Sequence, residues 1–183
     1  TRERLETLVA EGMPGLDRHY RELSEGYGYT LAAPEAFINQ LGYIYLRSGR
    51  QAESIEVFLE NTRRFPRSAN TYDSLGDAYR ASGGYQALSR ALELGPAGII
   101  AEVTAAKLMG RGGAAFPTGV KWAAVARERA LPHYVVCNAD ESEPGTFKDR
   151  VLMTGDPFAI VEAMTICGIA TRSERGFLYV RGE

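Results

Sequence analysis

A glycine-rich segment has the residue types needed to hold a phosphate group or an aromatic ring. It reads Gly110-Arg-Gly-Gly-Ala-Ala-Phe-Pro-Thr-Gly-Val-Lys-Trp122. Clustered glycines remove the Cβ atoms that keep a backbone away from a ligand, so bare N–H groups can face it. A helix is expected after the loop, and its N-terminus favours anionic groups, while Lys121 adds a positive charge. Such a loop can also serve only to form a tight turn, and that alternative stays open.

An acidic turn follows a short apolar segment with high β propensity. Residues 133–138 predict a buried parallel strand, and Asp140, Glu141 and Glu143 come directly after it. In parallel α/β sheets ligands bind beyond the carboxyl ends of the strands, where these side chains would emerge. The alternative interpretation is an exposed turn that caps a helix beginning near Thr146.

Together the two segments resemble the NADH-binding flavoprotein subunit of respiratory complex I and its relatives in NAD-linked hydrogenases and formate dehydrogenases. The first shared string is Gly-Arg-Gly-Gly-Ala-x-Phe-Pro-Thr-Gly-x-Lys-Trp at 110–122. The second is Cys-Asn-Ala-Asp-Glu-Ser-Glu-Pro-Gly-Thr-Phe-Lys-Asp-Arg at 137–150. A third string, Phe177-Leu-Tyr-Val-Arg-Gly-Glu183, matches the next strand of that family. The resemblance covers residues 83–183 and implies the N-terminal part of an FMN- and NADH-binding α/β domain.

The same resemblance implies a set of cofactor-binding residues. Those implied to contact FMN are Gly110, Gly112, Lys121, Asn138, Asp140 and Glu141. Those implied to face the nicotinamide nucleotide are Gly113, Phe116 and Glu143, with Arg111 in the same loop. The implied reaction is hydride transfer from NADH to FMN, followed by one-electron steps to iron–sulfur centres, and no side chain is required as acid or base. The family usually has glycine where Ala115 stands, so a methyl group is added beside the loop.

The family domain continues beyond the strand at which this sequence stops. Further flavin contacts, a later acidic nucleotide-binding segment and a cysteine-rich iron–sulfur domain have no counterpart in the sequence. A sheet of about two strands leaves its ligand crevice one-sided. We therefore expect weak or no FMN binding, no onward electron transfer, and an unpaired sheet edge that favours aggregation.

The first half of the sequence contains an internal repeat. Leu41-Gly-Tyr-Ile-Tyr45 recurs 34 residues later as Leu75-Gly-Asp-Ala-Tyr79, which is the tetratricopeptide period. The pattern predicts helices near 35–47, 51–64 and 70–81, packed closely where the glycines lie. An amphipathic stretch precedes them and is broken near Gly12 and Gly26.

Residues 1–82 resemble the tetratricopeptide tail of some bacterial serine hydrolases. The resemblance rests on His19-Tyr-Arg-Glu-Leu23 and Ile38-Asn-Gln-Leu-Gly-Tyr43. No Gly-x-Ser-x-Gly motif is present, so hydrolase chemistry is not carried over. The functional interpretation is a groove for a peptide or a neighbouring domain, and the alternative is a solubilising helical appendage.

The two resemblances meet near residue 83. The repeat pattern ends at Ser82-Gly83. In the first repeat Pro66 follows Gly42 by 24 residues, whereas in the second repeat Pro96 follows Gly76 by 20 residues. Apolar spacing nevertheless predicts a helix over 84–94. A natural fusion, a misassembled or frameshifted gene, and an engineered sequence all remain open.

Composition excludes several functional classes. Hydrophobic residues make up 45% and charged residues 24%, with a formal net charge of −2, which indicates a globular protein without a nucleic-acid or polybasic membrane surface. No apolar run approaches the ~18 residues of a membrane span, so we expect a cytoplasmic protein without direct membrane insertion. Cys137 and Cys167 lie in apolar runs, and with His19 and His133 they form no metal-binding pattern.

The expected fold class is α plus α/β, with helical tetratricopeptide-like hairpins over 1–82 and a truncated parallel flavin-binding lobe over 83–183. We predict strands near 133–138 and 176–181, and a helix near 157–171 capped by Asp156 with Pro157 in its first turn. The favoured function is a partial NADH:quinone oxidoreductase flavoprotein subunit, with FMN and NAD as family cofactors and NADH and complex I-type subunits as partners. The alternative is a tetratricopeptide-type protein-interaction module with an inert C-terminal lobe.

Overall fold

The structure is a computed structural model that describes residues 2–111 and 113–181, with the backbone alone for residues 2–5. It divides into two compact units, Thr1–Gly83 and Gly84–Glu183, which are described separately. The secondary structure is mostly helical with one small parallel two-stranded sheet. The predicted class, α plus α/β, is confirmed at this level.

Helices make up the first unit. They are α1 (Arg2–Tyr27), α2 (Glu35–Arg47), α3 (Gln51–Arg64) and α4 (Ala69–Ala81). The three helices predicted from the repeat are confirmed to within one residue. In α1 the backbone breaks at Gly12, where φ is 67°, whereas the helix runs through Gly26 and ends at the next residue.

Gly42 allows α2 and α3 to pack closely. A Cβ atom at this position would lie 2.4 Å from the Phe58 ring, and Phe58 is fully buried. The Ser54 hydroxyl donates to the Gly42 carbonyl at 2.9 Å, and the Asn61 amide donates to the Glu35 carbonyl at 3.3 Å. These contacts pair the start of one helix with the end of the other, so α2 and α3 are antiparallel.

Helices α2 and α4 lie side by side in the same direction. The Tyr43 hydroxyl donates to the Asp77 carboxylate at 2.9 Å, between residues 34 apart. Near the helix starts, the Asn70 amide donates to the Glu35 carboxylate at 2.8 Å. Residues 34 or 35 positions apart in sequence therefore contact each other near both ends of the pair, so equivalent positions of the two repeats lie side by side.

An ion pair ties α1 to α3. The Arg64 guanidinium donates to both carboxylate oxygens of Asp17, at 2.8 and 2.9 Å. Its hydrogen bond holds the pKa of Asp17 below the ordinary value of that carboxyl. The geometry is bidentate, which fixes the relative orientation of the two side chains.

The second unit combines helices and strands. Its elements are α5 (Gln86–Ala105), α6 (Thr118–Arg127), β1 (Tyr134–Ala139), α7 (Lys148–Gly155), α8 (Pro157–Thr171) and β2 (Arg175–Val180). The two predicted strands, their parallel direction and the 157–171 helix are confirmed. The expectation that the first strand is buried is wrong, because Tyr134 and Val136 on one side of β1 are more than half exposed. In α5 the helical backbone breaks at Gly95, where φ is 65°. In α8 the Asp156 carboxylate accepts from the Ala159 N–H at 3.1 Å, with Pro157 in the first turn, as predicted.

Strands β1 and β2 pair in parallel, with Tyr134 opposite Arg175 and Ala139 opposite Val180. Paired residues of parallel strands share a face, and successive residues alternate between faces. One face therefore carries four large side chains that are half or more exposed, namely Tyr134, Val136, Phe177 and Tyr179. The other face lies towards α8, since a Cβ at Gly176 would meet the Met164 side chain at 3.2 Å.

No single helix of the described residues is long and apolar enough to cross a membrane. Helices α7 and α8 together reach the required length and composition, but they are bent by 101° relative to each other.

We predict that Gly42→Ala lowers the free energy of unfolding by about 2 kcal/mol, because the added methyl group overpacks the contact with Phe58. Urea unfolding followed by helical circular dichroism measures it. The matched control is Gly26→Ala, where no atom lies within 4 Å of the added Cβ and a gain of about 0.5–1 kcal/mol is expected. Equal effects of the two substitutions would contradict the packing account.

Candidate functional site

Backbone hydrogen bonds close the glycine loop at its base. The Gly110 N–H donates to the Phe116 carbonyl at 2.8 Å, and the Thr118 N–H donates to the Leu108 carbonyl at 2.9 Å. Between them Met109 and Pro117 form an antiparallel bridge. The base of the loop is therefore a short closed hairpin, and the described residues of its tip, 111 and 113–115, lie at the surface.

Glycine has a steric role at two of the described loop positions. A Cβ at Gly110 would lie 3.4 Å from the Phe116 carbonyl oxygen, which is tight for a real side chain. Gly113 has φ of 85°, in the left-handed region that glycine adopts without cost. Gly112 lies outside the described residues. Arg111 and Phe116 are exposed on the same loop.

Ala115 occupies a backbone conformation that favours glycine. Its φ is 47°, and a non-glycine residue there is strained by roughly 1–2 kcal/mol. The resemblance described above implies glycine at this position, so alanine here brings strain as well as a methyl group.

Helix α6 follows the loop immediately and carries Lys121 in its first turn. Pro117 stands at the N-cap, and no side chain of the described residues caps this helix. Gly119 allows α6 to pack closely against α5, because a Cβ atom at this position would lie 2.1 Å from the Thr104 hydroxyl. Burial raises the pKa of the Cys167 thiol, and the positive charge of Lys121 partly offsets that rise. The Thr118 N–H donates to the Leu108 carbonyl and the Lys121 N–H to the Pro117 carbonyl. The Gly119 and Val120 N–H groups, together with the exposed Lys121 ammonium, are what this helix start offers to an anionic ligand.

The acidic turn begins where β1 ends. The Asn138 side-chain oxygen accepts from the Asp140 N–H at 3.2 Å, and the Asp140 carboxylate accepts from the Ser142 hydroxyl. The Glu143 carbonyl accepts from the Thr146 N–H at 3.2 Å. The strand end and the turn thus form one hydrogen-bonded segment.

Glu141 has a different environment from its acidic neighbours. Its carboxylate accepts from the Asp149 N–H at 2.7 Å and from the Arg150 N–H at 3.2 Å, at the start of α7. The side chain is only 7% exposed. The capping alternative considered for this turn is confirmed for Glu141, with the helix beginning at Lys148.

The charges around the turn are predominantly negative. A hydrogen bond to Asp149 raises the pKa of the Lys148 ammonium above its ordinary value, and the charges of Glu141 and Glu143 add to that effect. An ammonium in this position stays protonated over a wide pH range. It lowers the repulsion among the clustered carboxylates.

The structure groups the predicted residues into two clusters, the loop residues with Lys121 and the acidic turn with Asn138. No hydrogen bond or ion pair of the described residues joins the two clusters. Both clusters lie at the surface of the second unit, apart from the Glu141 side chain.

Sequence reasoning missed an apolar groove between α8 and the sheet. Its volume is about 780 Å³, and its walls include Val135, Ile160, Met164 and Leu178. None of the predicted cofactor-binding residues lines it. The available signal was α8 itself, which is apolar around most of its circumference and therefore needs neighbours on several sides.

Comparison with known proteins agrees with the resemblance of the C-terminal part. Residues 103–183 match the family described as the Nuo51 FMN-binding domain. An NADH-quinone oxidoreductase F subunit of Rhizobium meliloti is 48% identical over 106 residues, which is 57% of this chain and 25% of the relative. The corresponding F subunit of Aquifex aeolicus is 49% identical over 107 residues, 58% of this chain and 25% of the relative.

Similarity extends to a hydrogenase subunit. The NADP-reducing hydrogenase subunit HndC of Solidesulfovibrio fructosivorans is 46% identical over 107 residues, 58% of this chain and 22% of the relative. The chain spans about a quarter of the length of the curated relatives it matches. The tetratricopeptide resemblance of residues 1–82 stays a prediction.

We predict that Ala115→Gly stabilises the loop, because glycine relieves the strain of a positive φ. The matched control is Ala114→Gly, at a neighbouring loop position without positive φ. We expect Ala115→Gly to exceed the control by about 1 kcal/mol in free energy of unfolding, measured in urea. A control that is equally or more stable would show that Ala115 is unstrained.

The glycine loop, the acidic turn and the strand that precedes the turn all lie within the matched residues 103–183. The C-terminal part of the protein is thus similar to the FMN-binding domain of these flavoprotein subunits.

Proposed function

We propose that residues 84–183 form part of an FMN- and NADH-binding unit of an NADH-oxidising flavoprotein. The observation that carries the proposal is the closed glycine loop, which leads directly into α6 at an N-terminus without a side-chain cap among the described residues. This arrangement offers backbone N–H groups, a helix N-terminus and Lys121 to one anionic ligand. The similarity to the FMN-binding family over the same residues supports FMN as that ligand.

The residues present fit a flavin nucleotide. At Gly110 a side chain would crowd the Phe116 carbonyl, so only a bare backbone lies there. In the proposal Gly110, Arg111, Gly112 and Lys121 bind the phosphate side of the cofactor, and Asn138 and Asp140 bind its polar edges. Gly113, Phe116 and Glu143 face the nicotinamide nucleotide.

When bound, FMN supplies the chemistry of accepting a hydride from NADH and passing electrons on singly. The chain's own residues bind and orient the two nucleotides. The exposed Phe116 ring offers a face for stacking. Lys121 neutralises phosphate charge, while the clustered carboxylates disfavour further anions at the turn.

We also propose that this chain alone binds FMN weakly and does not oxidise NADH. In support, the large side chains of one sheet face are half or more exposed, and the loop and turn are both at the surface. A pocket must bury most of a ligand to bind it tightly.

A second candidate function concerns residues 1–83. The side-by-side packing of α2 and α4 at the repeat offset, through Tyr43 and Asp77, favours a tetratricopeptide-type module that binds a peptide. In this interpretation the C-terminal unit is inert. A pull-down of peptides by the whole protein, abolished by substitutions on α2 and α4 that leave helical content intact, would support it. Retention of no peptide would contradict it.

We predict that the protein quenches FMN fluorescence with a dissociation constant in the high micromolar range. Lys121→Ala should weaken binding about threefold to tenfold, because it removes a charge next to the phosphate site. Arg127→Ala, which removes the same charge from the other end of α6, is the control and should have no effect.

Two results would contradict parts of this proposal. The absence of any FMN response at high micromolar flavin would contradict flavin binding by this polypeptide. Low-micromolar binding together with bleaching of the flavin by NADH would contradict the proposed inactivity.

A further inference from the structure

The carboxylate of Glu141 is held by protein backbone. One oxygen accepts from the Asp149 N–H at 2.7 Å and the other from the Arg150 N–H at 3.2 Å. The Arg150 side chain approaches within 4.0 Å of the second oxygen. Each oxygen keeps a second lone pair, but with the side chain only 7% exposed an incoming ligand has little access to either.

Helix α7 needs this carboxylate because its own N-cap residue does not cap it. Phe147 stands at the N-cap, and its side chain accepts no hydrogen bond. The first N–H groups of a helix have no partner inside it and must find one elsewhere. Glu141 supplies that partner from outside the helix. Its own backbone lies in the left-handed region, with φ of 54°.

The same interaction fixes the acidic turn. At its start the turn is tied to β1 through Asn138 and Asp140. At its end the Thr146 N–H donates to the Glu143 carbonyl. Glu141 connects this closed turn to α7. The positions of Asp140 and Glu143 therefore depend on the hydrogen bonds that Glu141 makes to the start of α7.

We infer that Glu141 is a positioning residue that ties the acidic turn to α7, rather than a residue that contacts the flavin. Direct contact would require a nearly buried carboxylate to become accessible, and turning it towards the ligand would leave two N–H donors at the start of a helix without their partner. The role in cofactor binding rests on the proposed function, whereas the tie itself does not. Glu143, whose carboxylate has no hydrogen bond or ion pair among the described residues, is the carboxylate left for a ligand.

The test combines amide hydrogen exchange with FMN titration of the whole protein. Glu141→Ala should accelerate exchange of the Asp149, Arg150 and Thr146 amides about tenfold and weaken FMN binding by a similar factor. Glu141→Gln keeps a side-chain oxygen for the Asp149 N–H, so it should retain most of the amide protection and most of the FMN affinity. Glu143→Gln removes a charge from the same turn and should leave these amides protected. Circular dichroism verifies that each variant is folded.

Three outcomes would overturn the inference. The first is unchanged amide exchange in Glu141→Ala. The second is accelerated exchange with unaltered FMN affinity, which would make Glu141 purely structural. The third is weaker FMN binding by Glu141→Gln with its amides still protected, which would indicate direct contact through charge. If the unaltered protein binds no FMN, the proposed function fails, and exchange of the turn amide at Thr146 alone decides whether Glu141 holds the turn.

Discussion

The candidate site depends on two backbone hydrogen bonds that close the glycine loop, from Gly110 to Phe116 and from Thr118 to Leu108. They fix the base of a loop that has few side chains to stabilise it. Because the second bond involves the first residue of α6, the loop and the helix N-terminus cannot move independently. The proposed phosphate binding therefore relies on backbone geometry, to which Lys121 adds charge.

A second physical requirement shapes the remainder of this unit: the N–H groups at each helix start need acceptors. Asp156 meets it locally for α8. Glu162, which is buried, meets it for α5 by accepting from the Tyr85 and Leu88 N–H groups, both at 2.9 Å. Glu141 meets it for α7. In the last two cases a carboxylate from outside the helix links two elements, Glu162 from 77 residues away and Glu141 from only 8 residues before Asp149. Helix capping therefore also determines how the elements are arranged. Helix α6 has no such carboxylate among the described residues, and its first N–H, that of Thr118, donates instead to the Leu108 carbonyl.

Much of this architecture follows from local sequence patterns. The repeat glycines and apolar spacing placed α2 to α4, and the Asp156-Pro157 pair placed α8. These features depend on residues close together in the chain. The sequence left the role of Glu141 open between ligand binding and helix capping, because a carboxylate in an acidic string has the same local pattern whether it meets a ligand or the start of a helix. The apolar groove beside α8 also escaped sequence reasoning, since it depends on how a helix and a sheet meet. The family resemblance identified the two segments of the site, but not the hydrogen bonds within each.

The glycine loop and the acidic turn are proposed to bind the same flavin. Chemical-shift mapping of the isotope-labelled protein during FMN addition tests this most directly. We expect the amides of Gly110 and Gly113 to shift together with those of Asp140 and Glu143, along one binding curve. Shifts confined to one of the two segments, or centred on the groove residues Val135 and Gly168, would contradict it.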